Sequence, residues 1–406
     1  MTRRPPAPAP DLLGAIHADP ADPAPYLVYA DHLLERGDPR GELIHLQLRL
    51  EALADDDPAG DPLAARVSEL LGPRSAWWHD RGASCGFRRG FLDSLRVPAS
   101  VFLDHVATCA PAELDELAHL SHLLLGFSPS SPAGAGLFTD ADLAAVLALP
   151  ALRRLEELEL LSHRLGPAAG LALARADLPR LRALRLDSTT LRDAGVAAFV
   201  EAAPELPALE SLALTTNQLG DPAALALARW PHLARLRALD LSSIDTYDPG
   251  CNAIRDRGAI ALISSPRAAR LERLSLGENP SITNETALAL AAAPHLTRLV
   301  DLRLGFTSID DRGAEALAAS PSLARLQLLD LGHTPLGDAG LAAVLELPSL
   351  STLLVSGTAL TADGIRALVD APSRLTQVHA VFSGLELPDP LRDDFLRRYG
   401  SNVDFY

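Results

Sequence analysis

The chain has 406 residues and a mass of 43.0 kDa, and 48% of its residues are hydrophobic although only 4% are aromatic. It contains 80 leucines, and all 36 basic residues are arginine, which excludes enzymes that need a P-loop, Schiff-base or kinase-type lysine. The 52 acidic residues give a net charge of −16, which argues against a nucleic-acid partner because such binding relies on cationic surfaces.

The cysteines and the apolar runs bear on the compartment. Cys85, Cys109 and Cys251 are odd in number and widely spaced, which predicts free thiols and neither a disulfide framework nor a structural zinc site. The N-terminal MTRRPPAPAP lacks the apolar stretch of a secretory signal, and prolines and glycines interrupt the long uncharged run at 120–139. We therefore expect no membrane contact and a cytoplasmic location, and the lysine-free, Ala/Arg/Leu-rich usage is typical of a GC-rich bacterial genome.

The N-terminal part of the chain predicts helices. Residues 1–10 are Pro-rich and are expected to be disordered, and residues 11–76 are expected to form a small all-helical domain. The predicted helices span 11–18, 24–36, 39–53 and 63–72. On the second of these, Leu27, Ala30, Leu33 and Leu34 are expected to form an apolar stripe.

A repeat dominates the rest of the chain. The string LxxLxL recurs from 150 to 387, and its fourth position defines an anchor in each copy. The anchors are separated by 24 to 28 residues, except for one interval of 35. Residues 77–149 hold two atypical first repeats, anchored at Leu95 and Leu123. The anchors of the later copies are Leu158, Leu184, Leu212, Leu239, Leu274, Leu302, Leu329, Leu353 and Val378.

Each repeat has a second half that predicts a helix. Asp-x-Gly, as in LRDAG (191–195) and LGDAG (336–340), precedes an Ala/Leu-rich stretch that ends at proline. The aspartate is expected to cap the helix that it begins, because a carboxylate accepts the first free backbone N–H groups. One strand and one helix cannot bury their own leucines, so the pattern predicts an α/β solenoid with parallel inner strands and outer helices.

These residues resemble the leucine-rich repeat family, nearest to its ribonuclease-inhibitor-like class with a helical outer face. The family places asparagine five residues after the anchor, where it bonds the loop backbone. Only Asn217 and Asn279 match in this chain. Thr189, Thr307, Thr334 and Thr358 take the position elsewhere, and a threonine hydroxyl can bond backbone locally. His163 and Ile244 interrupt the pattern.

The string YLVYADHLLERGDPRGELIHLQ (26–47) resembles the short helical repeat-companion domain of bacterial leucine-rich-repeat proteins. That resemblance implies no settled activity. The segment can cover the apolar end of the solenoid, or it can be a docking module for another protein, or both. Residues 388–406 are expected to cap the other end.

The concave face is the main candidate for function. Strand side chains alternate, so the residues one before, one after and three after each anchor point into the concavity. They carry charges of both signs and form neither a basic track nor an aromatic cage. The candidate protein-binding residues are Glu157, Glu159, Arg185, Asp187, Asp240, Arg273, Asp301, Arg303, Asp330 and His379. The alternative is a face that is merely polar.

An insertion at 242–256 distinguishes the repeat anchored at Leu239. Asp245, Tyr247 and Asp248 are candidate partner contacts in this loop. Asp245, Asp248 and Asp256 could also offer carboxylates to a hard cation, although their spacing matches no known loop. A neutral insertion is the third alternative.

The sequence holds no GxSxG, HExxH, GxGxxG after a strand, or EF-hand loop. We therefore expect a non-enzymatic, monomeric protein-interaction scaffold with no cofactor and no metal. The alternative, based on fold analogy, is an activator-type regulator of a small GTPase or other NTPase, which turnover assays with and without the protein would distinguish.

Overall fold

The structure is a computed structural model that describes residues 11–54, 57–109, 117–126, 138–202, 206–243, 250–382, 387–400 and 403–405. The predicted disordered segment 1–10 lies outside these residues. The chain divides into two compact units, Met1–Ser128 and Pro129–Tyr406.

The first unit begins with four helices. They are α1 Leu12–Ala18, α2 Ala24–Glu35, α3 Arg40–Glu51 and α4 Gly60–His79. Ile16, Tyr26, Ala30, Leu33 and Ile44 form a buried core with Phe91. α1, α2 and α3 thus pack around one core, which they share with a residue of the strands that follow, and Arg66 of α4 forms an ion pair with Glu42 of α3.

Two details of these helices differ from the prediction. The fourth helix continues past 72 to His79, with Pro73 inside it. On α2 the buried face is Tyr26, Ala30 and Leu33, at i, i+4 and i+7, whereas Leu27 and Leu34 are 39% and 45% exposed. The predicted stripe was therefore right for Ala30 and Leu33 and wrong for Leu27 and Leu34. Tyr26 completes the buried face, and its ring lies 6.0 Å from that of Phe91 between centroids.

The same unit contains the two atypical repeats. β1 (Ser84–Arg88) and β2 (Phe91–Pro98) form an antiparallel hairpin, and α5 (Ala99–Thr108) leads toward β3 (His122–Gly126). β2 and β3 pair in parallel with Leu95 opposite Leu123, so the two predicted anchors lie side by side.

The second unit alternates helices and short strands. Its helices are α6 Asp140–Leu147, α7 Pro167–Ala174, α8 Arg192–Glu201, α9 Asp221–Arg229, α10 Asp256–Ile263, α11 Asn284–Ala291, α12 Asp311–Ala318, α13 Asp338–Val344, α14 Ala362–Val369 and α15 Asp389–Tyr399. Its strands are β4 Glu157–Leu161, β5 Ala183–Asp187, β6 Ser211–Ala213, β7 Ala238–Asp240, β8 Arg273–Ser275, β9 Asp301–Arg303, β10 Leu328–Asp330, β11 Thr352–Leu354, β12 Gln377–Phe382 and β13 Val403–Phe405.

The strands β4 to β13 pair in parallel in chain order, and their register matches the predicted anchors. Leu158 lies opposite Leu184, Leu184 opposite Leu212, and so on through Leu353 opposite Val378. Every anchor is buried. The α/β solenoid with parallel strands and a helical outer layer is thus confirmed, and each leucine layer buries what one repeat could not.

The chain leaves each strand by the same backbone turn. The fourth residue after the anchor has a left-handed conformation in most repeats, for example Thr216 (φ 53°), Glu278 (φ 58°), Phe306 (φ 55°) and His333 (φ 54°). This conformation costs energy for residues other than glycine, so the neighbouring repeats must hold it in place.

Buried asparagines fix these turns, and there are more of them than the prediction counted. Asn252 follows the insertion, is 2% exposed, and donates Nδ2 to the carbonyls of Leu214 and Leu241 at 3.0 Å each. It takes the role of the asparagine expected five residues after Leu239. The residue at that position in the sequence is Ile244, which lies outside the described residues. The hydroxyls of Thr307 and Thr334 donate to carbonyls three residues earlier at 2.6 Å, as predicted.

The Asp-x-Gly motif joins neighbouring repeats. The Oδ1 of Asp311 accepts the N–H of Gly337 at 2.6 Å, so it caps α13 of the next repeat and not α12, to which it belongs. Asp193, Asp221, Asp256 and Asp338 likewise accept backbone N–H groups at the start of the following helix. The prediction that each aspartate caps its own helix was therefore wrong at these positions.

The glycine of the motif has a steric reason in the same contact. A Cβ at Gly340 would lie 2.6 Å from Oδ1 of Asp311, and a Cβ at Gly258 would lie 2.7 Å from Oδ1 of Asp221. At these two positions glycine makes room for an aspartate of the preceding repeat.

Candidate functional site

The candidate residues lie on one face of the second unit's sheet. The anchors point toward the helices, so the residues on either side of them form the opposite face, which we call the strand face. β4 carries Glu157 and Glu159, and β5 carries Arg185 and Asp187. The remaining predicted residues are Asp240 on β7, Arg273 on β8, Asp301 and Arg303 on β9, Asp330 on β10 and His379 on β12.

Six of these residues line one cavity of about 450 Å³. They are Arg185, Asp240, Arg273, Asp301, Arg303 and Asp330. The cavity spans β5 to β10. Several residues with small side chains line it, namely Ser211, Ala213, Ser275, Gly277 and Gly305. Glu157, Glu159, Asp187 and His379 lie on the strand face outside this cavity.

Two of the arginines of the cavity are held by carboxylates. Arg303 donates Nε and Nη2 to Oδ1 and Oδ2 of Asp301 at 3.1 and 3.2 Å. Arg185 on β5 pairs with Glu157 on β4, with Nε 3.3 Å from Oε1. Both guanidinium groups are half-exposed, so each pair contributes little to stability and serves mainly to orient the arginine.

Asp330 and Asp240 receive their hydrogen bonds from their own chain segment. Asp330 Oδ1 accepts the N–H of Gly332 at 2.9 Å, and Asp240 Oδ1 accepts the N–H and hydroxyl of Ser242 at 2.9 and 2.6 Å. Among the described residues neither carboxylate has an ion-pair partner within 4.0 Å.

Burial shifts two carboxylates of the strand face in the same direction. Burial raises the pKa of Asp330, and the N–H of Gly332 and the charge of Arg303 oppose the rise only in part. Burial also raises the pKa of Asp187, against the hydrogen bond that the Thr215 hydroxyl donates to it, and the nearby charge of Asp240 adds to the rise. The face therefore holds negative charge at an energetic cost, which a cation would relieve.

Phe306 and His333 also belong to this site, and the sequence reasoning missed Phe306, His333 and Glu278. Phe306 and Glu278 line the cavity. The ring of Phe306 stacks on His333, with centroids 4.0 Å apart and planes 16° apart, and Phe306 is 37% exposed. All three residues follow their anchors by four, where the left-handed turn ends the strand, so the alternation of a strand does not predict where they point.

The predicted contact residues of the insertion, Asp245, Tyr247 and Asp248, lie outside the described residues. Asp256, the third carboxylate considered for a cation, is engaged elsewhere: Oδ1 accepts the N–H of Thr283 at 2.9 Å, and Oδ2 accepts its hydroxyl at 2.7 Å. Its role is to begin the next helix.

Among the described residues, no group of three or more His, Cys, Asp or Glu side chains could hold a metal ion. No helix in that part of the chain has the length and apolar character that crossing a membrane requires. Cys85, Cys109 and Cys251 are half-buried and belong to no disulfide of the described residues, and burial raises the pKa of Cys85.

Comparison with known proteins agrees with the repeat pattern. A family model described as "Leucine Rich repeat" matches residues 206–228, 295–318 and 326–345. The chain therefore carries leucine-rich repeats. It is similar to the crystal structure of an internalin from Listeria monocytogenes, with 18% identity and a TM-score of 0.36 over 66% of this chain and 81% of that one. No curated protein matches the sequence.

Proposed function

We propose that the chain is a non-enzymatic scaffold that binds a protein partner on the strand face of its second unit. The observation that carries the proposal is the cavity between β5 and β10, which is lined by Asp240, Asp330 and Arg273 and by the exposed ring of Phe306. Protein interfaces take most of their affinity from a few anchors of this kind, set in a well-packed surround. Charges of both signs then select the partner.

The rigidity of this face supports the proposal. Each strand from β5 to β12 pairs with both neighbours, and buried asparagines bond the backbone of another repeat: Oδ1 of Asn252 accepts the N–H of Asn217, and Oδ1 of Asn279 accepts the N–H of Ile254. A preformed surface loses little conformational entropy when it binds. The side chains of the cavity are therefore positioned before a partner arrives.

Two finer assignments belong to the same proposal. An α-helix forms the outer layer of each repeat from β4 to β11, which supports the ribonuclease-inhibitor-like class. The packed helices α1 to α4 support a repeat-companion domain at the N-terminal end, acting as a cap, a docking module or both. A cytoplasmic bacterial protein that acts as a monomer fits this assignment.

Capture of partners from extracts of the native host tests the surface. The triple variant Asp240→Ala, Arg303→Ala, Asp330→Ala should reduce capture of the partner at least about tenfold, equivalent to about 1.4 kcal/mol. A matched triple, Glu315→Ala, Asp363→Ala, Arg366→Ala, removes the same charges from the exposed helical side and should capture as the wild type does. Undiminished capture by the first variant, with its fold intact by circular dichroism, would show that the partner binds elsewhere.

A further inference from the structure

The exposed ring of Phe306 is held in a fixed stack. One face of the ring lies against His333, 4.0 Å away between centroids. The His333 ring in turn lies against Gly357, where a Cβ would come 2.4 Å from Nδ1, so only glycine leaves room for it. The stack supports Phe306 from one side while the ring itself lines the cavity of the strand face.

The carboxylates of Asp330 and Glu278 line the same cavity as this ring. Asp330 lies one strand further along the sheet, and a Cβ at Gly305, which precedes Phe306, would be 3.0 Å from its Oδ1. Glu278 occupies the same position in its repeat as Phe306 does in the next, and it lines the same cavity. Gly277 and Gly305 carry no side chains between these groups. A flat slot therefore lies beside Phe306. Its lining consists of the aromatic ring, the carboxylates of Asp330 and Glu278, and the glycine backbone.

The arginines of the cavity do not fill this slot. Arg303 lies beside Asp330 in register, yet both of its donating nitrogens bind Asp301 on its own strand. Arg273 precedes its anchor by one residue, whereas Phe306 follows its anchor by four, so the two project from opposite ends of the strands. Arg185 pairs with Glu157 on the side of β4.

We propose that this slot receives an arginine side chain of the protein partner, with its guanidinium stacked on Phe306 and its charge facing Asp330 and Glu278. This inference rests on the proposed function and specifies the partner's chemistry. A guanidinium is planar, weakly hydrated and able to stack on an aromatic ring while it donates hydrogen bonds to carboxylates at its edge. A lysine ammonium has no plane to stack. The net charge of −16 also favours the approach of a basic partner.

A small probe tests the slot without the partner. The peptide acetyl-Gly-Arg-Gly-amide is titrated into the full-length, deuterated protein, and the backbone amide signals of Gly277, Gly305 and Gly332 are followed by NMR. We expect saturable shifts at these amides with half-saturation in the millimolar range. The isosteric but neutral citrulline peptide should bind at least about tenfold more weakly, and the lysine peptide at least about threefold more weakly.

Two variants locate the binding. Phe306→Ala and Asp330→Asn should each weaken binding of the arginine peptide at least about fivefold. Val381→Ala removes an equally exposed apolar side chain from the strand face, and Asp363→Asn removes a carboxylate from the helical side. Both should bind the peptide as the wild type does, and the dispersion of each spectrum reports whether the variant is folded.

The outcomes separate this inference from the function on which it rests. Non-saturable shifts, equal binding of the citrulline or lysine peptide, or wild-type binding by both slot variants would overturn the arginine slot. In that case the triple variant of Asp240, Arg303 and Asp330 could still abolish partner capture, and the proposed function would stand. Peptide binding together with undiminished partner capture by the triple variant would instead overturn the proposed function.

Discussion

The side-chain oxygen of Asn252 accepts the backbone N–H of Asn217 at 2.9 Å, although 35 residues separate them. The same oxygen accepts the N–H of Leu219 at 3.0 Å, and the side-chain nitrogen donates to three carbonyls. The insertion before Asn252 therefore leaves the bonding between neighbouring repeats intact. Along the sequence, the extra residues come between β7 and Asn252.

Asn252→Ala should lower the free energy of unfolding by about 2 to 4 kcal/mol, because it leaves several buried backbone groups without a partner. Thr358→Ala is the matched control: the Thr358 hydroxyl donates only to the carbonyl of Val355, at 2.8 Å, and its loss should cost about 1 kcal/mol or less. Urea denaturation followed by circular dichroism measures both values. Equal losses would mean that Asn252 adds nothing beyond its own turn.

The sequence predicted the layers of the solenoid because they depend only on the regular spacing of leucines along the chain. Leu239 and Leu274 were aligned despite the longest interval, since each leucine must fill the next layer of the same core. The partner of Asn217 was missed, because the asparagine was counted at a fixed distance from the anchor. The insertion places Asn252 farther along the chain from its anchor, yet its side chain still bonds the backbone of Asn217.

The placement of the candidate residues on the strand face also follows from a regular pattern, the alternation of side chains along a strand. Asp240, Arg303 and Asp330 lie next to anchors, so strand alternation places them on the open face. Phe306 and His333 lie beyond the strand in a left-handed turn, where alternation no longer applies. Their contact also joins two repeats, and no property of either repeat alone predicts it.

The hydrogen bond between Asp311 and Gly337 predicts that removing the Asp311 carboxylate destabilises α13, the helix of the next repeat. Asp311→Ala should lower the free energy of unfolding by about 1 to 2 kcal/mol, as expected for removal of a helix cap. Hydrogen exchange of the amides at the start of α13 should rise more than that of α12. The comparison variant Asp363→Ala removes an exposed carboxylate that pairs with Arg366, and it should cost about 0.5 kcal/mol or less. Faster exchange at α12 alone would contradict capping of the following helix.

Asp256 predicts a dependence of stability on pH. Burial opposes its ionisation, but hydrogen bonds from Thr286 and Thr283 outweigh burial and hold its pKa below the ordinary value of 3.8. A carboxyl whose pKa is lower in the folded state stabilises the fold above that ordinary value. This stabilisation is lost as the pH falls through the lowered pKa. The advantage of the wild type over Asp256→Asn should therefore be full at pH 6 and shrink below pH 3.8.

Chemical denaturation at a series of pH values measures that advantage, and Thr286→Val provides its control. The Thr286 hydroxyl donates to Oδ1 of Asp256 at 2.6 Å, so its removal should bring the pKa of Asp256 closer to the ordinary value. The stabilisation tied to ionisation should then be smaller. A constant difference between wild type and Asp256→Asn from pH 6 to pH 3 would show that ionisation of this group does not contribute.

Gly340 and Gly60 both lie in the first turn of a helix, yet alanine should have opposite effects at the two positions. A Cβ at Gly340 would meet Asp311, 2.6 Å from Oδ1 and 2.8 Å from the backbone Cα, whereas nothing lies within 4 Å of a Cβ at Gly60. Gly60→Ala should stabilise the protein by about 0.4 to 1 kcal/mol, because alanine restricts the unfolded chain. Gly340→Ala should destabilise it by about 1 to 3 kcal/mol, because the two repeats would have to separate to admit the methyl group. Thermal unfolding of both variants gives the sign. If Gly340→Ala were stabilising as well, helix propensity would exceed the steric cost, and the close approach of Asp311 would not be what requires glycine in the motif.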